Sequence, residues 1–168
     1  AAQVLELGGA TAVGFAPFVE RNPDAQYEWE QYTVTNQGWL LESLDVLGMN
    51  MTNNPIFPNI YRSSDNGTKI PMSVLEPPDG TMESFAPIWQ VAPALLSGNI
   101  NLDLSSLPTV DDGLNHLKES RKEVVTEGFQ QSVILSPIFE NMHERHAAHA
   151  GHQSNSPVVG ILGVVIEW

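Results

Sequence analysis

The chain has 168 residues, 42% apolar and 16% charged, and its 7 Lys+Arg against 20 Asp+Glu give a formal net charge of −13. That is enough chain for one domain with a real core, and 12 Pro with 13 Gly is close to ordinary usage, so the composition is globular rather than disordered. The acidic balance excludes a phosphate-backbone binder, which needs clustered Lys and Arg, and the lack of Cys excludes disulfides, zinc-thiolate sites and a thiol nucleophile.

The first 14 residues read as a lead-in to a single domain that spans residues 1–168. Residues 10–19 (ATAVGFAPFV) are small and apolar with no helical period, which predicts a buried strand. Asn22-Pro23-Asp24 has the chemistry of a helix start: a capping side chain, a proline at the first helical position and an acid in the first turn. Tyr27, Trp29, Tyr32, Trp39, Leu40, Leu44 and Leu47 then anchor a helical stretch that Gly38 divides. Asp65-Asn66-Gly67 lies between Ile60-Tyr61-Arg62 and Lys69-Ile70-Pro71, and Asn-Gly tolerates positive φ at both turn positions, so a hairpin is expected. A further turn is expected at Pro77-Pro78-Asp79-Gly80. The proline-rich stretch 86–93 (APIWQVAP) reads as a strand near a sheet edge.

Residues 99–104 (NINLDL) alternate strictly, predicting a strand with Ile100, Leu102 and Leu104 on one face and Asn99, Asn101 and Asp103 on the other. A second helix is expected from Asp111 to Glu127, ending at Gly128, with Lys118, Arg121 and Lys122 paired to Glu119, Glu123 and Glu127 along a solvated face. Ser132–Phe139 and Val158–Trp168 read as two buried strands, an antiparallel pair joined by a polar, His-rich loop. The apolar run Val158–Ile166 is far short of the roughly 20 residues of a membrane helix. A start at Ala1 without Met and a stop at Trp168 in a strand-rich segment suggest a piece of a longer or processed product, with any membrane segments outside it.

His143, His146, His149 and His152 recur every third residue and could bind a divalent metal such as Zn²⁺. Their neighbours Ala147, Ala148, Ala150 and Gly151 supply no packing shell to orient the rings, so incidental binding on an exposed loop is the expectation. His116 stands alone on a helix and reads as a surface residue. There is no nucleophile elbow, P-loop, G-x-G-x-x-G or H-E-x-x-H, and Glu28 with Glu30 is a carboxylate pair without specificity among twenty acids. The chain therefore reads as non-catalytic. Two N-x-[ST] sequons, at Asn50 and Asn66, together with an acidic, Lys-poor surface, lean toward an extracellular or cell-surface setting. The amphipathic rings Trp29, Tyr32, Trp39, Tyr61 and Trp89, beside Gln90, Arg62 or Ser136, are the better functional lead, since such side chains line small-molecule pockets.

The run 27–32 (YEWEQY), Asn36-Gln37-Gly38-Trp39, the stretch 86–93, residues 99–104, Ser136-Pro137-Ile138-Phe139, and Pro157-Val158-Val159-Gly160 continuing to Trp168 carry a family likeness. From about Phe15 to Trp168 the chain resembles the extracellular sensor region of receptor-type adenylate/guanylate cyclases of diatoms and related algae, which is similar to CHASE and Cache domains. The resemblance implies an α+β, PAS-like antiparallel sheet flanked by helices, placed between membrane helices that lie outside this chain. It implies a receptor domain that binds an extracellular small molecule and passes a conformational change to a cytoplasmic cyclase, itself absent here. Tyr61, Arg62, Trp89, Gln90 and Ser136 are the ligand-pocket candidates by position. The His-rich loop has no counterpart in the family. An alternative is a structural subunit of a surface assembly, a homo-oligomer built through the apolar strand Val158–Ile166 if that strand lies at a sheet edge.

Overall fold

The computed structural model describes residues 10–49, 56–74, 83–93, 98–127, 131–140 and 157–167. The chain opens with β1 (Ala10–Pro17) and the short strand β2 (Val19–Glu20). Asn22 then caps α1 (Pro23–Thr35): its Oδ1 accepts the Ala25 N–H at 2.7 Å, Pro23 needs no N–H partner in the first turn, and Asp24 faces the positive helix end. A second helix, α2 (Gly38–Val46), starts at the glycine expected to divide the stretch. The expected hairpin is present as β3 (Tyr61–Ser63) and β4 (Lys69–Pro71), with Gly67 at φ +78° and Asn66 Oδ1 accepting from the Thr68 N–H. There follow β5 (Ser84–Phe85), which pairs with β2, and β6 (Gln90–Ala92). A 3-10 turn at Leu104–Ser106 then leads into α3 (Pro108–Ser120), β7 (Val124–Glu127), β8 (Gln131–Phe139) and β9 (Val158–Glu167).

The fold is mixed α+β. Five strands make one antiparallel sheet in the order β6-β1-β9-β8-β7. β8 and β9 pair along nearly their whole length, as expected of the two long strands. β9 is flanked on both sides, by β1 and β8, so it is an interior strand, and the edge on which the assembly alternative rested does not exist at Val158–Ile166. β6 is one of the two edge strands, β7 the other, in line with Pro87 and Pro93 to either side of it.

Successive residues of β1 point to opposite faces and join two cores. Ala16 packs with Leu135 and Ile161 beneath Val110, Leu114 and Leu117 of α3, whereas Phe15 packs toward Leu40, Leu44, Trp89 and Ile100. Two glycines set these distances. A Cβ on Gly113 would overlap the Thr126 methyl group, so α3 lies directly on β7, and a Cβ on Gly160 would stand 2.9 Å from the Ala16 carbonyl oxygen, inside the β1–β9 pairing.

Two elements differ from expectation. Residues 99–104 are not a strand: Asn101 takes a left-handed φ of +67°, the segment makes only isolated bridges to Tyr61 and Pro87, and it runs into the 3-10 turn. Two of its three polar positions face inward, since Asn101 and Asp103 are both 0% exposed, while Asn99 is exposed. The helix expected over Asp111–Glu127 is α3, which starts earlier and ends earlier, closing at Arg121 in a left-handed cap (φ +58°). Val124, Val125 and Thr126 are β-branched and pair with β8 instead of continuing the helix. Among the described residues Lys118, Arg121 and Lys122 make no ion pair with the expected carboxylates either. Lys118 lies 4.4 Å over the Phe18 ring and donates to Ser84, and Arg121 sits 5.4 Å over Phe139.

Candidate ligand-binding groove

β1 and β2 form one wall of an open groove of about 750 Å³, and α1 forms the other. The α1 wall comes from Ala25, Glu28, Trp29 and Tyr32, a stripe at positions i, i+3, i+4 and i+7. Phe15, Phe18 and Glu20 face it from the strands, and Trp89 and Gln90, at the start of β6, close one end. The volume lies within the range of small-molecule sites.

The rings form a connected set. Trp29 stacks on Tyr32 at 5.6 Å, Tyr32 meets Trp89 at 5.4 Å, and the edge of Trp89 meets Trp29 at 5.8 Å and Trp39 at 5.7 Å. Such geometries add roughly 0.5–1.5 kcal/mol per pair beyond burial. Trp89 is 5% exposed and Tyr32 is 45% exposed, so the cluster runs from the core to the groove surface.

Buried Asn101 fixes this cluster. Its Oδ1 accepts from Trp29 Nε1 at 3.1 Å, and its Nδ2 donates to the Phe57 carbonyl at 2.8 Å and to Thr33 Oγ1 at 3.2 Å. Its backbone N–H donates to the Ile88 carbonyl, one residue before Trp89, and its carbonyl accepts from Tyr61 N–H. One residue, through side chain and backbone, thus ties α1, the 57–61 segment and the approach to β6 together, and asparagine tolerates the left-handed backbone found there.

Asp103, two residues on, does the same below the groove. Oδ1 accepts from the Ala86 N–H at 2.7 Å and the Ser105 N–H at 3.2 Å, and Oδ2 accepts from Ser105 Oγ at 2.7 Å and Arg21 Nη2 at 3.4 Å. The Arg21 guanidinium lies 4.1 Å over Phe85. Burial pushes the Asp103 carboxyl above its usual range, against the pull of these donors, and lowers Arg21. Sequence alternation placed Asn101 and Asp103 on one face without assigning them these burial roles. The available signal was the residue type: Asn and Asp with several acceptor sites suit buried backbone junctions.

Of the five pocket candidates, Trp89 and Gln90 line the groove and Tyr61, Arg62 and Ser136 do not. Tyr61 packs edge-on to Phe57 at 5.2 Å, carries Lys69 Nζ 4.7 Å above its ring, and donates its hydroxyl to the Gly98 carbonyl at 2.9 Å. Arg62 is exposed on β3, and Ser136 Oγ donates to Glu123 at 3.3 Å. Tyr61 therefore has a structural assignment with a measurable consequence. Burial raises its phenol from 10.0 to about 12, so the folded chain keeps a proton that the unfolded chain releases, and stability falls as pH rises through that interval. Urea midpoints across that interval are expected to fall more in the wild type than in Tyr61→Phe. An equal fall in both would contradict the assignment.

His143, His146, His149 and His152 lie outside the described residues, as does Asn50. Among the described residues no three His, Asp or Glu side chains gather as a metal site. His116 is exposed, as expected, and so is Asn66 in its turn. No described helix is long and apolar enough to cross a membrane. No protein-family model, no curated protein and no solved structure matches the chain.

Proposed function

We propose that the chain is the extracytoplasmic sensor module of a receptor, PAS-like in fold and non-catalytic, and that it binds an extracellular small molecule in the groove between β1, α1 and the start of β6. The observation that carries this reading is the groove itself, an aromatic wall with Gln90 and two carboxylates at its surface. The PAS-like assignment is supported by the sheet order, which is 2-1-5-4-3 when its strands are counted along the chain, with α1 and α2 inserted between the first two. A signalling role has a physical basis in β1. Phe15 and Pro17 line the groove, while Ala10, at the other end of the strand, pairs with Ile166 of β9, so the start of β1 and the end of β9 lie side by side. A ligand that shifts β1 against α1 moves the start of β1 and the end of β9 together. Exposed Asn66, in an N-x-T sequon, fits a glycosylated cell-surface setting.

A thermal-shift screen of the chain against amines, amino acids, organic acids, sugars and nucleosides tests the reading. At least one class is expected to raise Tm, and Tyr32→Ala, at a half-exposed ring, is expected to abolish that rise without lowering the ligand-free Tm by more than a few degrees. No stabilising compound, or stabilisation unchanged in Tyr32→Ala, would contradict it.

A further inference from the structure

We infer that the groove selects a small organic cation, a quaternary ammonium or a protonated amine. This inference rests on the groove being the ligand site. Its lining includes the rings of Phe15, Trp29, Tyr32 and Trp89 and the carboxylates of Glu20 and Glu28, and no Lys or Arg. The negative potential of an aromatic face attracts a cation within about 6 Å of the ring, and a nearby carboxylate adds to that attraction.

The rest of the molecule shows the same pairing already satisfied. Arg21, Lys69, Lys118 and Arg121 each lie over a ring, at Phe85, Tyr61, Phe18 and Phe139. Phe18 borders the groove, but Lys118 itself does not line it. The largest ring cluster, Trp29–Tyr32–Trp89, has no cation over it among the described residues. Glu20 is partly held by Asn22 Nδ2 at 2.9 Å, whereas Glu28 is exposed on the α1 stripe and accepts from no donor among the described residues. An anionic ligand would meet two like charges with no counter-charge in the lining. A neutral ligand would leave the carboxylates unused. The formal charge of −13 raises the local concentration of cations around the whole molecule.

Titration calorimetry with three probes of one shape tests the inference: choline, its neutral isostere 3,3-dimethylbutan-1-ol, and the anion 3,3-dimethylbutanoate. Choline is expected to bind at least about tenfold more tightly than the alcohol, with no measurable binding of the carboxylate, and each of Glu28→Gln and Tyr32→Ala is expected to weaken choline about three- to tenfold. Glu28→Gln is expected to leave the affinity for the alcohol unchanged, which separates loss of charge from loss of shape.

Equal binding of choline and the alcohol, or tighter binding of the carboxylate, overturns the inference and leaves the groove reading in place. So does failure of all three probes when the broader screen finds another class that depends on Tyr32. Failure of all three together with an empty screen removes both. Choline binding that neither variant alters overturns the inference by locating the cation elsewhere.

Discussion

Asp103→Ala is expected to lower the unfolding free energy by about 3–5 kcal/mol, the range for breaking a buried, hydrogen-bonded ion pair from one side. The carboxylate is fully buried and accepts from two backbone N–H groups, a serine hydroxyl and Arg21. Truncation strands both backbone N–H groups and removes the only carboxylate that Arg21 pairs with among the described residues; Arg21 Nη2 keeps Ser105 Oγ at 3.2 Å, but Nε and Nη1 are already buried without partners. Asp103→Asn keeps one acceptor oxygen for the Ala86 and Ser105 N–H groups and is expected to cost less than the alanine. The pH dependence adds a second readout. Burial holds the folded carboxyl above its ordinary value of 3.8, so the folded state binds this proton more tightly than the unfolded chain does. Stability therefore declines as pH rises from that value through the folded pKa, and both variants lose this component. Urea denaturation across the acid range measures both effects. A loss under about 1 kcal/mol in Asp103→Ala would show that the network is not holding residues 86–105 together.

Trp89→Ala is expected to cost about 3–5 kcal/mol, as for other large core aromatics. The ring is in contact with three others and packs on Leu40, Leu44 and Ile100, and the vacated volume cannot close without moving α1 or α2. Trp89→Phe retains part of the edge contact and is expected to cost less than half as much. A domain of ordinary stability, about 5–15 kcal/mol, survives the first change with a reduced margin, so the alanine variant is expected to fold in the cold and melt early. An unchanged urea midpoint in Trp89→Ala would contradict the packed cluster.

Local chemistry made much of this fold readable in advance. Asn22-Pro23-Asp24, Gly38 and Asn66-Gly67 act locally and need no distant partner: Asn22 caps α1, Gly38 opens α2, and of the turn pair Gly67 alone takes the positive φ while Asn66 Oδ1 accepts from Thr68. The long strands β8 and β9 were readable for a related reason, because nearly continuous apolar runs suit the interior of a sheet. The failures occurred where a distant segment decided the outcome. Period-two alternation at 99–104 separates two faces without saying which one meets water, and here three other segments supply donors and acceptors to the polar side. At Val124–Thr126 charge spacing favoured helix, but an open edge on β8 was available to β-branched residues.

The site divided in the same way. Trp29 and Tyr32 lie i, i+3 on one helix and were bound to be neighbours, but only the fold brings Trp89 and Gln90 to them while committing Tyr61 to Lys69 and Phe57. Amphipathic rings spread along a sequence mark candidates without stating which of them meet.

The central claim is that the groove between β1, α1 and β6 is where this protein meets its ligand. Backbone and side-chain NMR shift mapping, with the compound that most stabilises the chain, tests it most directly. The account predicts perturbations concentrated at Phe15, Phe18, Glu28, Trp29, Tyr32, Trp89 and Gln90, with smaller ones propagating along β1 to its partners in β9. Perturbations centred instead on Phe57, Tyr61 and Lys69, or on α3, would contradict it.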